Sequence, residues 1–301
     1  MNIAVIGPGA LGCLFGARLA AAGHDVWLLH HREQTASTLS AGGITIHQTG
    51  ETPLAAEISA TTTASDVGTA DLVLVLVRAH QTQTALAEHA ACIGSETWVL
   101  SLQNGFRNYD YLLDQVGRDR AFCGVTYEAA VTDELGIVTH TSTGSTTFGG
   151  GSPGARTTIQ ETLAEAGFDV DAVADPRPVI WEKGALVAAT APVLTLTGCP
   201  VTRLSTDPLD GVVTRLLAET ARVATSQGID LDVETIQQTI ASIANSHAEH
   251  RVSMSQDIER GRRTEIDELN GVIIDMAETA DIAVPANIHV TALIHGVERC
   301  S

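Results

Sequence analysis

At 301 residues, 44% of them hydrophobic, the chain is long enough for two domains and can bury a sizeable core. Thirty-six acids against seventeen bases give a formal net charge of −19, which argues against nucleic acid or an anionic membrane as partner. Sixteen of the bases are Arg and a single one is Lys, Lys183. Together with abundant Ala, Thr and Asp, this composition fits a salt-adapted, acidic protein of a salt-rich cytoplasm. No apolar stretch reads as a membrane span, and the N-terminus has neither a basic region nor a cleavage site, so a cytoplasmic protein is expected. The five cysteines have neither metal-ligand nor redox spacing, and no metal site is expected.

The chain opens with a short apolar strand, Asn2 to Ile6, that runs into Gly7-Pro8-Gly9-Ala10-Leu11-Gly12. An alanine-rich helix from about Cys13 to Ala22 follows, then a second strand from Val26. Strand, Gly-x-Gly-x-x-Gly, helix, strand is the dinucleotide-binding unit. Gly7 permits the tight turn, Gly9 lets backbone approach a pyrophosphate, and Gly12 lets the helix pack closely. The helix N-terminus offers unpaired N–H groups to the phosphates. At the end of the second strand an acidic residue would favour NAD, and a basic one NADP. The chain has His30, His31 and Arg32 there, so NADP is expected over NAD.

Ile44 to His47 and Ala56 to Ala60 read as two short strands. Asp71 to Val77 is a continuous apolar run, as in a parallel strand covered on both faces. It ends at Arg78-Ala79-His80-Gln81, and such carboxyl ends are where open α/β sheets bind ligands. Thr82 to Ala91 reads as helix and Trp98 to Leu102 as another buried strand, ending at Gln103-Asn104-Gly105. Phe122–Val125, Ile137–His140 and Thr146–Phe148 alternate, and are expected to add to the sheet antiparallel. A helix (Thr157 to Ala166) and a strand (Phe168 to Val170) complete the first domain, with Asp175-Pro176-Arg177-Pro178 as linker. Four or five helical segments follow, between Val179 and Val297. The expected architecture is α/β: a Rossmann-type nucleotide-binding domain over 1–174, then an all-α domain over 175–301.

The first helix of the second domain carries Trp181-Glu182-Lys183. A chain that uses Arg sixteen times and Lys once keeps here the one cation that burial can tune to give up a proton. A second polar cluster runs from Ser253-Met254-Ser255-Gln256-Asp257 to Thr264-Glu265-Ile266-Asp267-Glu268-Leu269-Asn270-Gly271.

With these motifs, and with Arg78-Ala79-His80-Gln81, Gln103-Asn104-Gly105, Gly136-Ile137-Val138-Thr139-His140 and Val284-Pro285, the chain resembles the ketopantoate reductase family (2-dehydropantoate 2-reductases) over nearly its whole length. The resemblance implies Lys183 as proton donor, Asn104 and Ser253 touching substrate or cofactor, and Glu265 beside the cofactor and the substrate hydroxyl. Arg78, where the family often has Lys, and Ala130 would line the cofactor, with Gln81 nearby. Three positions depart from the family pattern. Val187 and Ala191, one and two turns after Lys183, stand where the family usually has Asn, and so does His250 before Ser253. A buried polar ligand group facing Val187 and Ala191 would lose partners worth about 1–3 kcal/mol each.

The implied reaction is hydride transfer from NADPH to the carbonyl carbon of 2-dehydropantoate, in pantothenate and coenzyme A biosynthesis. Lys183 and Glu265 would be catalytic, Asn104 would place the reacting groups, and Ser253, helped by His250 or Arg251, would hold the carboxylate. Two alternatives stay open: reduction of another small 2-oxo acid, or a non-catalytic NADP-binding sensor. The oligomeric state, a homodimer included, is not legible from the sequence.

Overall fold

The computed structural model describes residues 1–206, 208–246 and 252–300. They form two compact units: Met1–Gln103 with Asn108–Pro176, and Asn104–Arg107 with Arg177–Ser301. The second unit thus includes four residues from the loop that follows Gln103.

The first unit contains twelve strands: β1 (Asn2–Ile6), β2 (Asp25–Leu29), β3 (Ile44–Gln48), β4 (Leu54–Ala56), β5 (Ser59–Thr61), β6 (Leu72–Val75), β7 (Trp98–Ser101), β8 (Ala121–Thr126), β9 (Ala129–Glu134), β10 (Ile137–Ser142), β11 (Thr146–Gly150) and β12 (Val170–Val173). Its helices are α1 (Ala10–Ala21), α2 (Glu33–Gly42), α3 (Thr82–Glu88), α4 (Asn108–Val116) and α5 (Pro153–Glu165). Eight strands make one sheet in the order β12-β11-β8-β7-β6-β1-β2-β5. From β5 to β8 neighbours are parallel; β11 then runs antiparallel to β8 and parallel to β12. Both faces are covered, and successive side chains serve opposite cores. Ile3, Val5, Leu72 and Leu74 join one apolar cluster, while Ala4, Ile6, Val73 and Val75 join the other. Such two-sided burial is why these strands read as unbroken apolar runs.

Four strands form a second sheet, β4-β3-β10-β9, instead of extending the first. Here β10 pairs parallel with β3 (Ile137↔Thr45, Val138↔Ile46) and antiparallel with β9. The expectation that Ile137–His140 adds to the main sheet is therefore corrected. Alternation marks a strand with one covered face, but not the sheet that covers it. The single strand expected over Ala56–Ala60 is split: β4 belongs to the second sheet and β5 to the first. The break at Glu57-Ile58 lets the buried Ile58 side chain reach α1 beside Gly16, where a Cβ would lie 3.2 Å from Ile58 Cδ1. Helix α1 touches β2 and strands of the second sheet, which explains why it is apolar on nearly every side.

The second unit is helical: α6 (Arg177–Thr197), α7 (Leu209–Ser226), α8 (Val233–Ser246), α9 (Ser253–Glu259), a π-helical turn at Asp267–Gly271, α10 (Val272–Thr279) and α11 (Pro285–Glu298). The expected linker ends early, because α6 begins at Arg177 with Pro178 in its first turn, where a missing N–H costs nothing. Helix α6 is long and apolar enough to cross a membrane by length and composition, contrary to the sequence reading. However, 67% of its apolar window is buried, and it serves as the hub against which α7, α8, α9 and α11 pack.

Candidate active site

The glycine-rich turn is shaped by three different constraints. Gly7 sits at φ +96°, and a Cβ there would lie 2.6 Å from the Val77 backbone nitrogen. A Cβ at Gly12 would lie 2.2 Å from the Gly7 carbonyl oxygen, so Gly12 lets α1 close against the turn itself. At Gly9 a Cβ would meet nothing within 4 Å. Gly9 is the N-cap of α1, with no side chain capping the first turn. The first-turn N–H groups of α1 are thus left without a side-chain cap, beside a residue whose Cβ position is open, which fits a pyrophosphate. Pro8, Ala10 and Leu11 complete this turn.

The carboxyl ends of the central strands are tied together by a residue the sequence reading did not single out. Gln103, buried just past β7, donates from Nε2 to the Val77 carbonyl (2.7 Å) and to Thr82 Oγ1 (2.9 Å). Its Oε1 accepts from Ser101 Oγ at 2.8 Å. The segment after β6 is thus held to the end of β7. Arg78 and Gln81 lie on that segment, Arg78 half-buried and Gln81 exposed. At the end of β2, Arg32 donates from its backbone N–H to His30 Nδ1 (2.9 Å) and from Nε to His31 Nε2 (3.2 Å). Ala130 is half-buried in β9 of the second sheet, packed against the apolar cluster around α1.

In the second unit, Asn104, Lys183 and Glu265 are placed by separate devices. Phe106 packs against Trp181, ring centroids 4.7 Å apart. A Cβ on Gly184 would lie 2.5 Å from the Phe106 ring. Trp181 and Gly184, three residues apart and so on one face of α6, therefore grip Phe106 on either side of the Lys183 position. This pins the Asn104–Arg107 segment to the turn that carries Lys183. Arg107 anchors its far end on Asp275 of α10, at 3.1 Å. Gly105 takes φ +109°, a bend that favours glycine, and Asn104 beside it is half-buried.

Burial lowers the Lys183 pKa from its usual 10.5 to about 8, with the nearby Glu265 carboxylate opposing that shift. An amine with a pKa near neutrality holds a proton at pH 7 and can give it up, as a general acid must. Glu265 is 6% exposed and lies just before the π-helical turn. Thr264, its neighbour, donates from N–H and hydroxyl to Glu298 Oε1 of α11 (2.8 and 2.7 Å). On the other side Asp267 is bonded by His295 Nε2 (2.8 Å) and Arg263 (2.9 Å).

The π turn and α6 are joined through a proline. Pro192 lies inside α6, and having no N–H it leaves the Ala188 carbonyl without its ordinary helical donor. Asn270 supplies the replacement: its Nδ2 donates to Ala188 O and to Asn287 Oδ1, both at 2.9 Å. Asn287 in turn donates to Glu219, whose carboxylate also takes the backbone N–H groups of Ala286 and Asn287 at the start of α11. Pro192, Asn270, Asn287 and Glu219 were not singled out as a group. A helix-interior proline followed by two unexplained Asn was the available signal.

Val187 and Ala191 follow Lys183 at four and eight residues on α6. Val187 is half-buried and Ala191 is 3% exposed, within the apolar cluster that includes Met254 and Ile266. Ser253 opens α9, which is held to α6 by Ser255 Oγ and Thr195 Oγ1 at 3.0 Å. His250 and Arg251 lie outside the described residues. Among the described residues no group of three or more His, Cys, Asp or Glu is placed to hold a metal.

Comparison with known proteins matches the chain to two family models. Residues 3–153 match "Ketopantoate reductase PanE/ApbA" and residues 175–298 match "Ketopantoate reductase PanE/ApbA C terminal". A 2-dehydropantoate 2-reductase from Halobacterium salinarum is 30% identical, with 99% of each chain covered. The crystal structure of a PanE/ApbA family ketopantoate reductase from Ralstonia eutropha JMP134 is 32% identical over 99% of each chain, with a TM-score of 0.91. D-mandelate dehydrogenase, solved with NADH and anilino(oxo)acetate, is 25% identical, covering 100% of this chain and 99% of its own, with a TM-score of 0.94. With both of its units matched, the chain belongs to the ketopantoate reductase family of oxidoreductases that act on CH–OH groups.

Proposed function

We propose that this protein reduces 2-dehydropantoate to pantoate with NADPH, in a salt-rich cytoplasm. The observation that carries the reading is Lys183, the single lysine of the chain, with its pKa brought to about 8 by burial beside Glu265. The glycine turn and the N-terminus of α1 would hold the pyrophosphate, and His31 with Arg32 the 2′-phosphate. When bound, the cofactor supplies the hydride. Lys183 as ammonium hydrogen-bonds the substrate carbonyl oxygen, stabilises negative charge developing there and passes it a proton from Nζ. Asn104 orients the reacting groups, Glu265 orients the Lys183 ammonium or the new hydroxyl, and Ser253 helps to hold the carboxylate. Lys183 and Glu265 together argue against a non-catalytic sensor.

A second reading keeps the reaction and changes the substrate to a 2-oxo acid with a less polar side chain. Val187 and Ala191 favour it, since neither offers the substrate hydroxyl a hydrogen bond. The likeness to D-mandelate dehydrogenase, crystallised with anilino(oxo)acetate, adds support. Oxidation of NADPH, followed at 340 nm against a panel of 2-oxo acids that includes 2-dehydropantoate and arylglyoxylates, separates the readings. The best kcat/KM is expected for 2-dehydropantoate. A better arylglyoxylate would establish the second reading, and no oxidation with any member would overturn both.

A further inference from the structure

The carboxyl end of β2 gathers more imidazole than a phosphate contact requires. His30 and His31 stack with ring centroids 4.4 Å apart and planes 24° from parallel. Arg32 reaches back to both, from its backbone N–H and from Nε. His89, immediately past α3, is 5% exposed, and its Nδ1 is buried without a hydrogen-bond partner. It lies close enough that charge on it opposes charge on His30, and charge on His31 opposes charge on His89.

Both Arg32 bonds run into imidazole nitrogens, His30 Nδ1 and His31 Nε2. Burial, then the neighbouring His31, holds His30 below its ordinary 6.5; the backbone N–H of Arg32 opposes this, while the Arg32 charge and His89 add to it. Burial likewise lowers His89, against the pull of Glu88 at the end of α3. The other carboxylate beside the cluster, Glu33 of α2, is engaged by the hydroxyls of Thr62 and Ser37. The group is thus three imidazoles around one fixed cation, with the buried His89 Nδ1 unpartnered.

We propose that His30, His31 and His89 read the phosphomonoester of the cofactor by taking up a proton. A dianion placed at Arg32 draws a proton from solvent onto one of these rings, so the phosphorylated dinucleotide is preferred most strongly on the acid side of neutrality. The stacking of His30 on His31 limits the uptake to about one proton, because a second charge at 4.4 Å would repel the first. This rests on the reading that the first unit binds NADPH, and adds to it two residues, His30 and His89, and a pH dependence.

Calorimetric titration of NADPH and of NADH at pH 7, in two buffers of different ionisation enthalpy, counts the protons exchanged. Net uptake is expected with NADPH and not with NADH. A phosphate with its second pKa near about 6 can by itself only release protons on entering a cationic site, so the sign decides. The ratio of NADH to NADPH dissociation constants, from ligand fluorescence, should rise about three- to tenfold from pH 8 to pH 6.5, the upper end corresponding to about two-thirds of a proton averaged over that range. It should flatten in His30→Gln/His31→Gln while an Arg32-dependent preference remains. Release or no exchange with NADPH, a flat ratio in the wild type, or an unchanged slope in the double variant would each overturn the proposal. The wild-type titrations decide even if the variant does not fold. A preference for NADPH that is flat in pH overturns the histidine reader alone, whereas no preference at any pH overturns the cofactor reading and the reader with it.

Discussion

The junction of Pro192, Ala188 and Asn270 makes a quantitative prediction about the second unit. In Asn270→Ala, two buried acceptors, Ala188 O and Asn287 Oδ1, each lose a donor at 2.9 Å. Leaving a buried acceptor unsatisfied costs about 1–3 kcal/mol, so the two together cost about 2–6. Asn270 Oδ1 is itself buried without a partner, and its removal returns about 1–3 of that. A net loss of about 2 kcal/mol is expected. In Pro192→Ala the helix regains the N–H that ordinarily bonds the residue-188 carbonyl, so Asn270→Ala in that background should cost about 1–3 kcal/mol less. Any cavity left by the Asn side chain appears in both arms of the cycle and cancels. The assay is urea unfolding followed by Trp181 fluorescence, with Trp27 and Trp98 changed to Phe so that the signal comes from α6. If the two substitutions proved additive to within about 0.5 kcal/mol, Asn270 would not be standing in for the proline's missing donor.

Lys183 links function to stability. Its folded pKa, about 8, lies below the usual 10.5, so folding disfavours the charged form; this penalty is complete below pH 8 and is relieved as pH rises towards 10.5. Lys183→Met should therefore stabilise the protein at pH 7 by up to about 3 kcal/mol, with the gap narrowing above pH 8; a destabilised variant with a pH-independent gap would contradict the burial argument. Val187→Asn with Ala191→Asn should raise kcat/KM for 2-dehydropantoate, and a high native value left unimproved by the pair would mean that other groups hold the hydroxyl. With a formal charge of −19, melting temperature and apparent substrate affinity should both rise from dilute buffer to molar KCl, as the Debye length falls from about 30 Å at 0.01 M to about 3 Å. Flat curves would require another cause for the scarcity of lysine.

What could be read from the sequence tracks how local the physics is. The first βαβ unit was legible because each glycine answers a constraint within ten residues, apart from the Val77 backbone that crowds Gly7. The buried strands were legible because burial on both faces writes an apolar run. The second sheet was not, since β3 and β10 meet across some ninety residues and alternation does not name a partner. Helix α4 went unread although Leu112 and Val116 are buried, because Asn, Asp and Tyr surround them. Helix α9 was hidden too: within Ser-Met-Ser-Gln-Asp-Ile-Glu only Met254 and Asp257 are buried, too few for a period. At the site, Lys183 stood out by its rarity and Glu265 by resemblance. The grip of Trp181 and Gly184 on Phe106, and the capping of Ala188 by Asn270, depend on contacts between distant segments that no spacing reveals.

The most direct test of the proposed chemistry is the turnover of Lys183→Ala, measured together with its affinity for NADPH. Removing a general acid typically costs about 10²–10⁴-fold, so kcat should fall by that factor, whereas the NADPH dissociation constant should stay nearly unchanged. Lys183→Arg should fail in the same way, because it keeps the charge and cannot release the proton. A Lys183→Ala protein that retained most of its turnover would show that the proton comes from elsewhere, and the assignment of this lysine would be wrong.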